Sequence, residues 1–280
     1  TAHADSEAMI AYLIDGGGWG NGDFFQIDFS IRVLSDDGST VPRAFTPNGD
    51  FYDGDCDLVP VPLPPGGALE GEDGYACDSG GDCHLIVRTP DTLYEMWRAD
   101  VDGGTFYGGC LAVWALDRDY PESLRGEACT SADAAGLPIA PLLFTADEVA
   151  AGEIAHAIRF ILPNERISHR QYVRPATHAT GAAEAGELGM PYGVRLRLRA
   201  DYPIATLPSE GARVVARALQ RYGMILADGG QIALTAAYDV ESRWGTLLDP
   251  HDLGALAVGD FEVVDMGGRF DWDGDCRRNP

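Results

Sequence analysis

The chain has 280 residues, 45% of them hydrophobic, and its 44 acidic residues against 20 arginines and no lysine give a net charge of −24. This composition predicts a packed core and excludes a chain that is disordered throughout. No run of 18 apolar residues is present, which excludes a membrane-spanning helix, and the negative charge disfavours nucleic acid as a partner. The chain starts at Thr1 without a basic and then apolar leader, as we expect of a secreted protein whose signal peptide has been removed.

The first half of the sequence predicts one helix followed by short strands. SEAMIAYLIDGGGWG is helical in pattern and ends at glycines 16–18; its apolar stripe comprises Met9, Ile10, Leu13 and Ile14. FFQIDFSIRVLS alternates as a strand does, whereas residues 36–83 are rich in Asp, Gly and Pro. HLIVRTP, TLYEMWRADV and GGCLAVWAL follow at the short intervals of an antiparallel sheet.

The second half predicts further strands with three helices between them. TADEVAAG and SEGARVVARALQRYG are helical in pattern, and a last helix is expected to start at Asp249. EIAHAIRFI, QYVRPATHA and GVRLRLRAD alternate as strands, and MILADGGQIALTAAY predicts a hairpin that turns at residues 228–230.

These elements predict an α+β, β-rich fold, in which antiparallel β-sandwich or jelly-roll-like sheets carry peripheral helices. No repeat and no long linker divides the sequence. We therefore expect one secreted domain over residues 1–280, with a loop-rich part at 1–83 and the main sheet and helices at 84–280.

The six cysteines lie in loop-like contexts without a CxxC pair or zinc-site spacing, which favours disulfides and an oxidising, extracellular location. Six cysteines permit 15 pairings. The tight loop ACDSGGDC suits a bond between Cys77 and Cys83. Cys110 and Cys129 flank one connection, which leaves Cys56 to pair with Cys276. The alternative is a cytosolic protein with buried free thiols.

Positive charge is concentrated in one segment. Residues 159–221 contain ten arginines and five acidic residues, although the whole chain is strongly negative. Because alternate positions of a strand share a face, QYVRPATHA would present Tyr172, Arg174 and His178 together. GVRLRLRAD would likewise present Arg195, Arg197 and Arg199. If the two strands share a sheet face, they line a cationic groove. The alternative is that these arginines pair with surface carboxylates.

The same alternation in EIAHAIRFI places His156 on the apolar face and Arg159 on the opposite one. His156 is therefore expected to be a core histidine held by a hydrogen bond, with a catalytic role as the alternative.

A glycoside hydrolase needs two placed carboxylates, and the obvious candidates have structural interpretations. Glu148 completes a capping box with Thr145, and Asp133 stands in the same relation to Thr130. Asp228 fits the hairpin turn. With 44 acidic residues present, the sequence does not identify a pair.

Two acidic loops indicate a structural calcium site. Aspartates alternate in DGDCD and in DWDGD, at Asp53, Asp55, Asp57, Asp271, Asp273 and Asp275, but neither loop has the glutamate that an EF-hand requires. A bond between Cys56 and Cys276 would join the loops. A transition metal held by His84, His156 and His178 is a weaker alternative without supporting spacing.

The strings TSADAAGLPIAPLLFTADEVAAGEIAHAIRFILPN, YVRPATH and RALQRYGMILADGG, with GGCLAVW and DFEVVD, resemble a family of secreted bacterial proteins of unassigned function. The resemblance covers nearly the whole chain. It implies an extracellular location and a single unit, and that counterparts of His156, Arg159, His178 and Asp228 recur in similar local sequence. It transfers no activity.

The leading hypothesis is a secreted polysaccharide lyase acting on an acidic polysaccharide, without an organic cofactor. His178 would remove a proton and Tyr172 would protonate the leaving oxygen. A uronate carboxylate would be neutralised by Arg159, Arg174, Arg195 and Arg197. His156 is a further candidate catalytic residue, and Asp228 a candidate for substrate binding.

Two alternatives remain open. The first is a glycoside hydrolase that uses an Asp or Glu pair. The second is a non-enzymatic adhesin or a self-assembling surface subunit, in which the basic segment of one copy docks onto the acidic remainder of another. A homo-oligomer fits this last alternative.

Overall fold

The computed structural model describes residues 1–231 and 233–279. Within these residues it is β-rich, with four α-helices and several short 3-10 turns. The helices are α1 (Ser6–Asp15), α2 (Ala146–Ala151), α3 (Glu210–Arg221) and α4 (Trp244–Leu247). The strands are β1 (Ile27–Ile31), β2 (Val33–Ser35), β3 (Thr46–Pro47), β4 (Leu85–Arg88), β5 (Thr92–Met96), β6 (Asp100–Asp102), β7 (Thr105–Gly108), β8 (Leu111–Ala115), β9 (Gly126–Glu127), β10 (Ile158–Leu162), β11 (Ile167–Tyr172), β12 (Met190–Tyr192), β13 (Arg195–Leu198), β14 (Met224–Gly229), β15 (Leu234–Ala237), β16 (Phe261–Val263), β17 (Phe270–Asp271) and β18 (Arg277–Arg278).

The main sheet has six strands in the order β1-β15-β10-β14-β13-β16. β1 runs parallel to β15 and β10 parallel to β14, whereas the other pairs are antiparallel. Helices α1 and α3 pack on this sheet through Leu13 and Val215, which belong to one continuous apolar core with the sheet residues Phe160 and Leu226. Burial of this core is the principal driving force for folding.

A second sheet has the order β2-β4-β5-β8, and a small sheet β3-β7-β6 packs beside it. A further apolar cluster contains residues of both large sheets, including Ile31 from β1 and Trp114 from β8. Ala132, Ile139 and Leu143, which follow Trp114 along the chain, belong to the same cluster, and Ala132 also lines the cavity described below.

The predicted α+β, β-rich class is confirmed, and β4, β5 and β8 form the expected antiparallel sheet. The main sheet differs from the prediction because it is mixed rather than purely antiparallel. The predicted hairpin is wrong: β14 pairs with β10 and β13, and β15 pairs with β1 and β10. Ile232, within that segment, lies outside the described residues. The helix expected from Asp249 is a series of turns.

Local sequence determines the helix ends. Thr145 and Glu148 form the predicted capping box of α2, and Gly152 ends this helix with a φ of 84°. Ser209 accepts a hydrogen bond from the Ala212 amide at the start of α3. In α1, Met9, Ile10 and Leu13 are buried as predicted, but Ile14 is 49% exposed.

Three disulfides connect the loops. Cys77–Cys83 is confirmed, whereas the other predicted pairs are wrong, because Cys56 bonds to Cys110 and Cys129 to Cys276. Strand pairing explains the difference. β9 pairs with β18, which brings Cys129 beside the C-terminal segment, and the Asp57 amide donates to the Leu111 carbonyl, which brings the loop of Cys56 beside Cys110.

Among the described residues, no helix has both the length and the apolar character that a membrane crossing requires.

Candidate active site

A cavity of about 790 Å³ opens between the main sheet and the loops around the second sheet. One part of its lining comes from the main sheet, from β12 of the sheet β12-β11-β17 and from the loop after β11, with Asp228, Tyr192 and His178 respectively. Another part comes from the N-terminal half, with Asp55 and Trp97. Residues 130–134, which we call the floor segment, contribute four of the lining residues. Concave sites with apolar walls and a few polar groups are the usual form of small-molecule and cofactor sites.

Asp228 lies near the end of β14, with 27% of its side chain exposed, and lines the cavity. Burial raises the pKa of the Asp228 carboxyl well above its ordinary value, and the nearby Asp133 carboxylate adds to this effect. The Arg159 guanidinium, 3.6 Å away, opposes it. The surroundings of Asp228 therefore favour the protonated form of its carboxyl group.

The backbone after Asp228 approaches Asn164 closely. A Cβ atom at Gly229 would lie 2.6 Å from the Oδ1 atom of Asn164, which also lines the cavity, so a larger residue at this position would displace the Asn164 side chain.

Arg159 lies on β10 and binds the floor segment through Asp133. Its Nε and Nη2 atoms each donate a hydrogen bond of 2.8 Å to Asp133, and both side chains are almost completely buried. Burial alone would lower the pKa of Arg159, but Asp133 raises it. A buried guanidinium with two bonds to one carboxylate is a positioning group and is not free to bind a substrate carboxylate.

His178 is a neutral imidazole at the cavity wall. Its Nδ1 atom lies 2.6 Å from the Ala134 carbonyl and donates to it, so that Nε2 carries the free lone pair. Nε2 has no hydrogen-bond partner in the described part of the chain. Burial lowers the pKa of His178 to about 4, and the Trp272 ring packs edge-on at 4.6 Å. His178 can therefore accept a proton or a hydrogen bond from a ligand.

Tyr192, on β12, was not identified from the sequence. It is completely buried and lines the cavity, and its hydroxyl has no hydrogen-bond partner within residues 1–231 and 233–279. Burial raises the pKa of Tyr192 well above its ordinary value, and Asp228 adds to this. Because buried hydroxyls are normally paired, an unpaired phenol beside a cavity indicates a donor for a ligand.

A second carboxyl group, Asp55, contacts the other end of the floor segment. Its Oδ2 atom accepts a 3.3 Å hydrogen bond from the Thr130 amide, and burial raises the pKa of Asp55. Thr130 and Asp133 are three residues apart, so their Cα atoms lie within about 11 Å of each other. Asp55 and Asp228 therefore line the same cavity beside opposite ends of one short segment. Asp55 was predicted only as a metal ligand.

The predicted cationic groove does not form, because its two strands lie in different sheets. β11 pairs with β12 and β17, whereas β13 belongs to the main sheet. Arg197 binds Glu262 at 2.5 Å, and the Nε of Arg199 donates to the Gly259 carbonyl. The half-buried Arg195 does not line the cavity.

The predicted shared face of Tyr172, Arg174 and His178 is also wrong. β11 ends at Tyr172, ahead of Pro175, and His178 lies in the following loop. Tyr172 donates a hydrogen bond to Glu127, and Arg174 binds the same carboxylate at 2.5 Å. Of the three, only His178 lines the cavity.

His156 is held by hydrogen bonds, as predicted, but not on a strand face. β10 begins at Ile158, and the half-buried His156 ring contacts Glu148 Oε1 at 3.1 Å and the Ala157 carbonyl at 2.8 Å. The hydrogen bond to Glu148 raises the pKa of His156. This contact ties α2 to the segment before β10.

The acidic loops are adjacent, since the Gly54 carbonyl lies 3.4 Å from Cys276 Sγ, but their aspartates have other partners. Asp57 binds Arg125 and Arg278, and Asp273 binds Arg277. No group of ligand atoms from Asp53, Asp55, Asp57, Asp271, Asp273 and Asp275 converges in the described residues. Calcium binding stays a prediction.

The predicted transition-metal histidines do not converge in the described residues either. His84 contacts Glu70 at 2.6 Å and the Ala132 carbonyl at 3.2 Å, His178 contacts the Ala134 carbonyl, and His156 contacts Glu148 and the Ala157 carbonyl. One group does converge, Glu72 with Cys77 and Cys83, but these two cysteines form a disulfide and offer no thiolate.

The chain matches no protein-family model, no curated protein and no solved structure. The assignment of a function therefore depends on the chemistry of the cavity.

Proposed function

We propose that the protein is a carbohydrate-active enzyme, and specifically a glycoside hydrolase in which Asp228 is the general acid. The observation that carries this proposal is a carboxyl group in an aromatic-lined cavity, 3.6 Å from the buried Arg159 and close to Asp133, with a pKa raised by burial and by Asp133. A general acid at neutral pH needs this property, because an ordinary carboxyl group would already have lost its proton. Phe51, Trp97 and Trp272 supply apolar ring surface to the cavity, on which sugar rings could pack.

In this mechanism Asp228 donates its proton to the glycosidic oxygen as the bond to the anomeric carbon breaks. Asp55 then acts as the base that takes a proton from the water attacking that carbon. Arg159, which is closer to Asp133 than to Asp228, holds the acid in place without forcing it to ionise. The Tyr192 hydroxyl is available to donate a hydrogen bond to the substrate.

The polysaccharide lyase remains a second candidate, because a neutral His178 with a free Nε2 has the properties of a proton-abstracting base. In a lyase the protonated Asp228 would hydrogen-bond to the uronate carboxylate, and Tyr192 would replace Tyr172 as the acid. The arginines from which the lyase was inferred do not support it, since Arg159, Arg174 and Arg197 are bound to carboxylates.

One experiment separates the two reactions. The protein is incubated with a panel of neutral, amine-bearing and uronate-bearing polysaccharides, and both new reducing ends and the ultraviolet absorbance of unsaturated products are followed. We expect reducing ends without absorbance, and their loss by at least about 100-fold in Asp228→Asn. Absorbance together with reducing ends would establish the lyase. If no polysaccharide of the panel yields either product, both the hydrolase and the lyase proposals are wrong.

We further propose that the protein works outside the cytoplasm. Its three disulfides support this location, because thiols are kept reduced in most cytosols.

A further inference from the structure

The charged side chains that line the cavity are all acidic. Asp53, Asp55 and Asp82 are on its wall, Asp228 is present there as the protonated acid of the proposed mechanism, and no arginine is among the lining residues of the described chain. Asp53 and Asp82 are exposed, and neither forms an ion pair within the described residues. A cleft lined by one sign of charge concentrates ligands of the opposite sign, and the net charge of −24 acts in the same direction.

Two buried groups show that this acidic surface belongs to a built site. The Tyr192 hydroxyl is completely buried and lacks a partner, and His178 is 8% exposed with its Nε2 free, each within residues 1–231 and 233–279. One can donate and the other can accept a hydrogen bond. A sugar hydroxyl meets both requirements, and an ammonium group can donate to Nε2 of His178.

One carboxylate is fixed beside an aromatic ring. The Trp97 Nε1 atom donates a 3.0 Å hydrogen bond to Asp82 Oδ1, and both side chains line the cavity. An indole ring with an adjacent carboxylate suits an ammonium group, which gains from both the anion and the ring.

We propose that the cavity binds a polysaccharide of amino sugars with free, protonated amines, whose ammonium groups are recognised by Asp53 and Asp82. This substrate class rests on the proposed glycoside hydrolase. Asp228 and Asp55 would carry out the cleavage at the inner part of the cavity, while the exposed aspartates select the charge of the sugar.

The test measures binding separately from turnover. Calorimetric titration of the inactive variant Asp228→Asn compares a glucosamine hexasaccharide with an N-acetylglucosamine hexasaccharide, at a pH that protonates the free amines. We expect the charged hexasaccharide to bind about tenfold more tightly at low salt, from a few partly screened ion pairs. The advantage should shrink as ionic strength rises to about 0.3 M.

Single charge changes then locate the effect. In the Asp228→Asn background, Asp53→Asn and Asp82→Asn should each weaken the charged ligand by about threefold and leave the acetylated ligand unchanged. Asp201→Asn is the matched control, because it removes the same charge from an exposed residue outside the cavity. Equal affinity for the two hexasaccharides, or an equal loss in the control, would overturn the inference.

The outcomes also separate this inference from the hydrolase. If the wild-type protein cleaves neutral glycans and binds both hexasaccharides equally, the hydrolase stands and amino-sugar selection is wrong. If the charged ligand binds preferentially and no glycan is cleaved, the hydrolase is wrong and amine recognition by the cavity stands.

Discussion

Arg159 donates two hydrogen bonds of 2.8 Å to Asp133 and lies 3.6 Å from Asp228, so this buried cation interacts more closely with Asp133 than with Asp228. Asp133 is completely buried, whereas Asp228 reaches the cavity. The ionised Asp133 raises the pKa of Asp228, and Arg159 counteracts it. The pKa of the proposed acid is therefore determined by its burial and by this pair.

Substitution of Asp133 and substitution of Arg159 should shift the pH profile of activity in opposite directions. Asp133→Asn removes the anion and leaves Arg159 to act on Asp228, so the pKa of Asp228 falls and the alkaline limb of kcat/KM moves to lower pH. Arg159→Met should move the same limb to higher pH. Circular dichroism serves as the folding control. A shift of the alkaline limb in the same direction in both variants would contradict the role of the pair.

Arg159→Met should also destabilise the protein by about 3–5 kcal/mol, since it leaves a buried carboxylate without its partner. The double variant with Asp133→Asn should recover part of this loss, because no charge is then left unpaired. Urea unfolding at neutral pH measures both values. Equal stability of the Arg159→Met variant and the wild type would show that Arg159 and Asp133 do not form this ion pair in solution.

His84 and Glu70 predict a pH dependence of stability. Burial alone would lower the pKa of His84, but the Glu70 carboxylate raises it to about 9; the same contact lowers the pKa of Glu70 to about 2 despite burial. The raised pKa of His84 contributes stability in full below about 6.5, the unfolded value, and this is lost as pH rises through 9.

The loss should amount to about 3 kcal/mol, measured as the free energy of unfolding between pH 6 and about 9.5. The variant His84→Gln should show a flatter profile over that range. Because His84 contacts the Ala132 carbonyl of the floor segment, kcat/KM should fall in this variant as well. A profile in the variant as steep as in the wild type would assign the titration to another group.

His178 distinguishes the two candidate reactions. In the hydrolase it binds substrate but transfers no proton, so His178→Ala should raise KM by less than about tenfold and leave kcat nearly unchanged. In a lyase the same substitution should lower kcat by about 100-fold or more. Steady-state kinetics on the glycan identified from the panel separate the effect on KM from the effect on kcat. His156→Ala is the matched control, since His156 does not line the cavity.

The sequence predicted local features well and long-range pairing poorly. The capping box of α2 and the Cys77–Cys83 bond depend on residues close together in the chain, and both are confirmed. The hairpin failed because β10, about 70 residues earlier in the sequence, inserts between β14 and β15. Alternation of side chains does not reveal which strand lies beside which.

In the candidate site, too, local sequence indicated some residues, whereas features that depend on distant segments were missed. Asp228 was a candidate only for substrate binding, and His178 was predicted from a strand face that does not form. The chemistry of both depends on burial, and that of Asp228 also on Asp133, which only the fold supplies. Tyr192 carries no signal in MPY, since a tyrosine in a short apolar strand is usually part of the core. The groove of arginines failed because nearby carboxylates such as Glu127 and Glu262 come from distant segments.

The disulfide between Cys129 and Cys276 encloses a covalent ring of the chain that contains His178, Tyr192 and Asp228. A single proteolytic cut within this ring leaves both fragments joined under oxidising conditions. Trp272, which packs on His178, stays tethered four residues from the bond. One proteolytic cut therefore cannot release that wall of the cavity, and only reduction combined with cleavage separates the pieces.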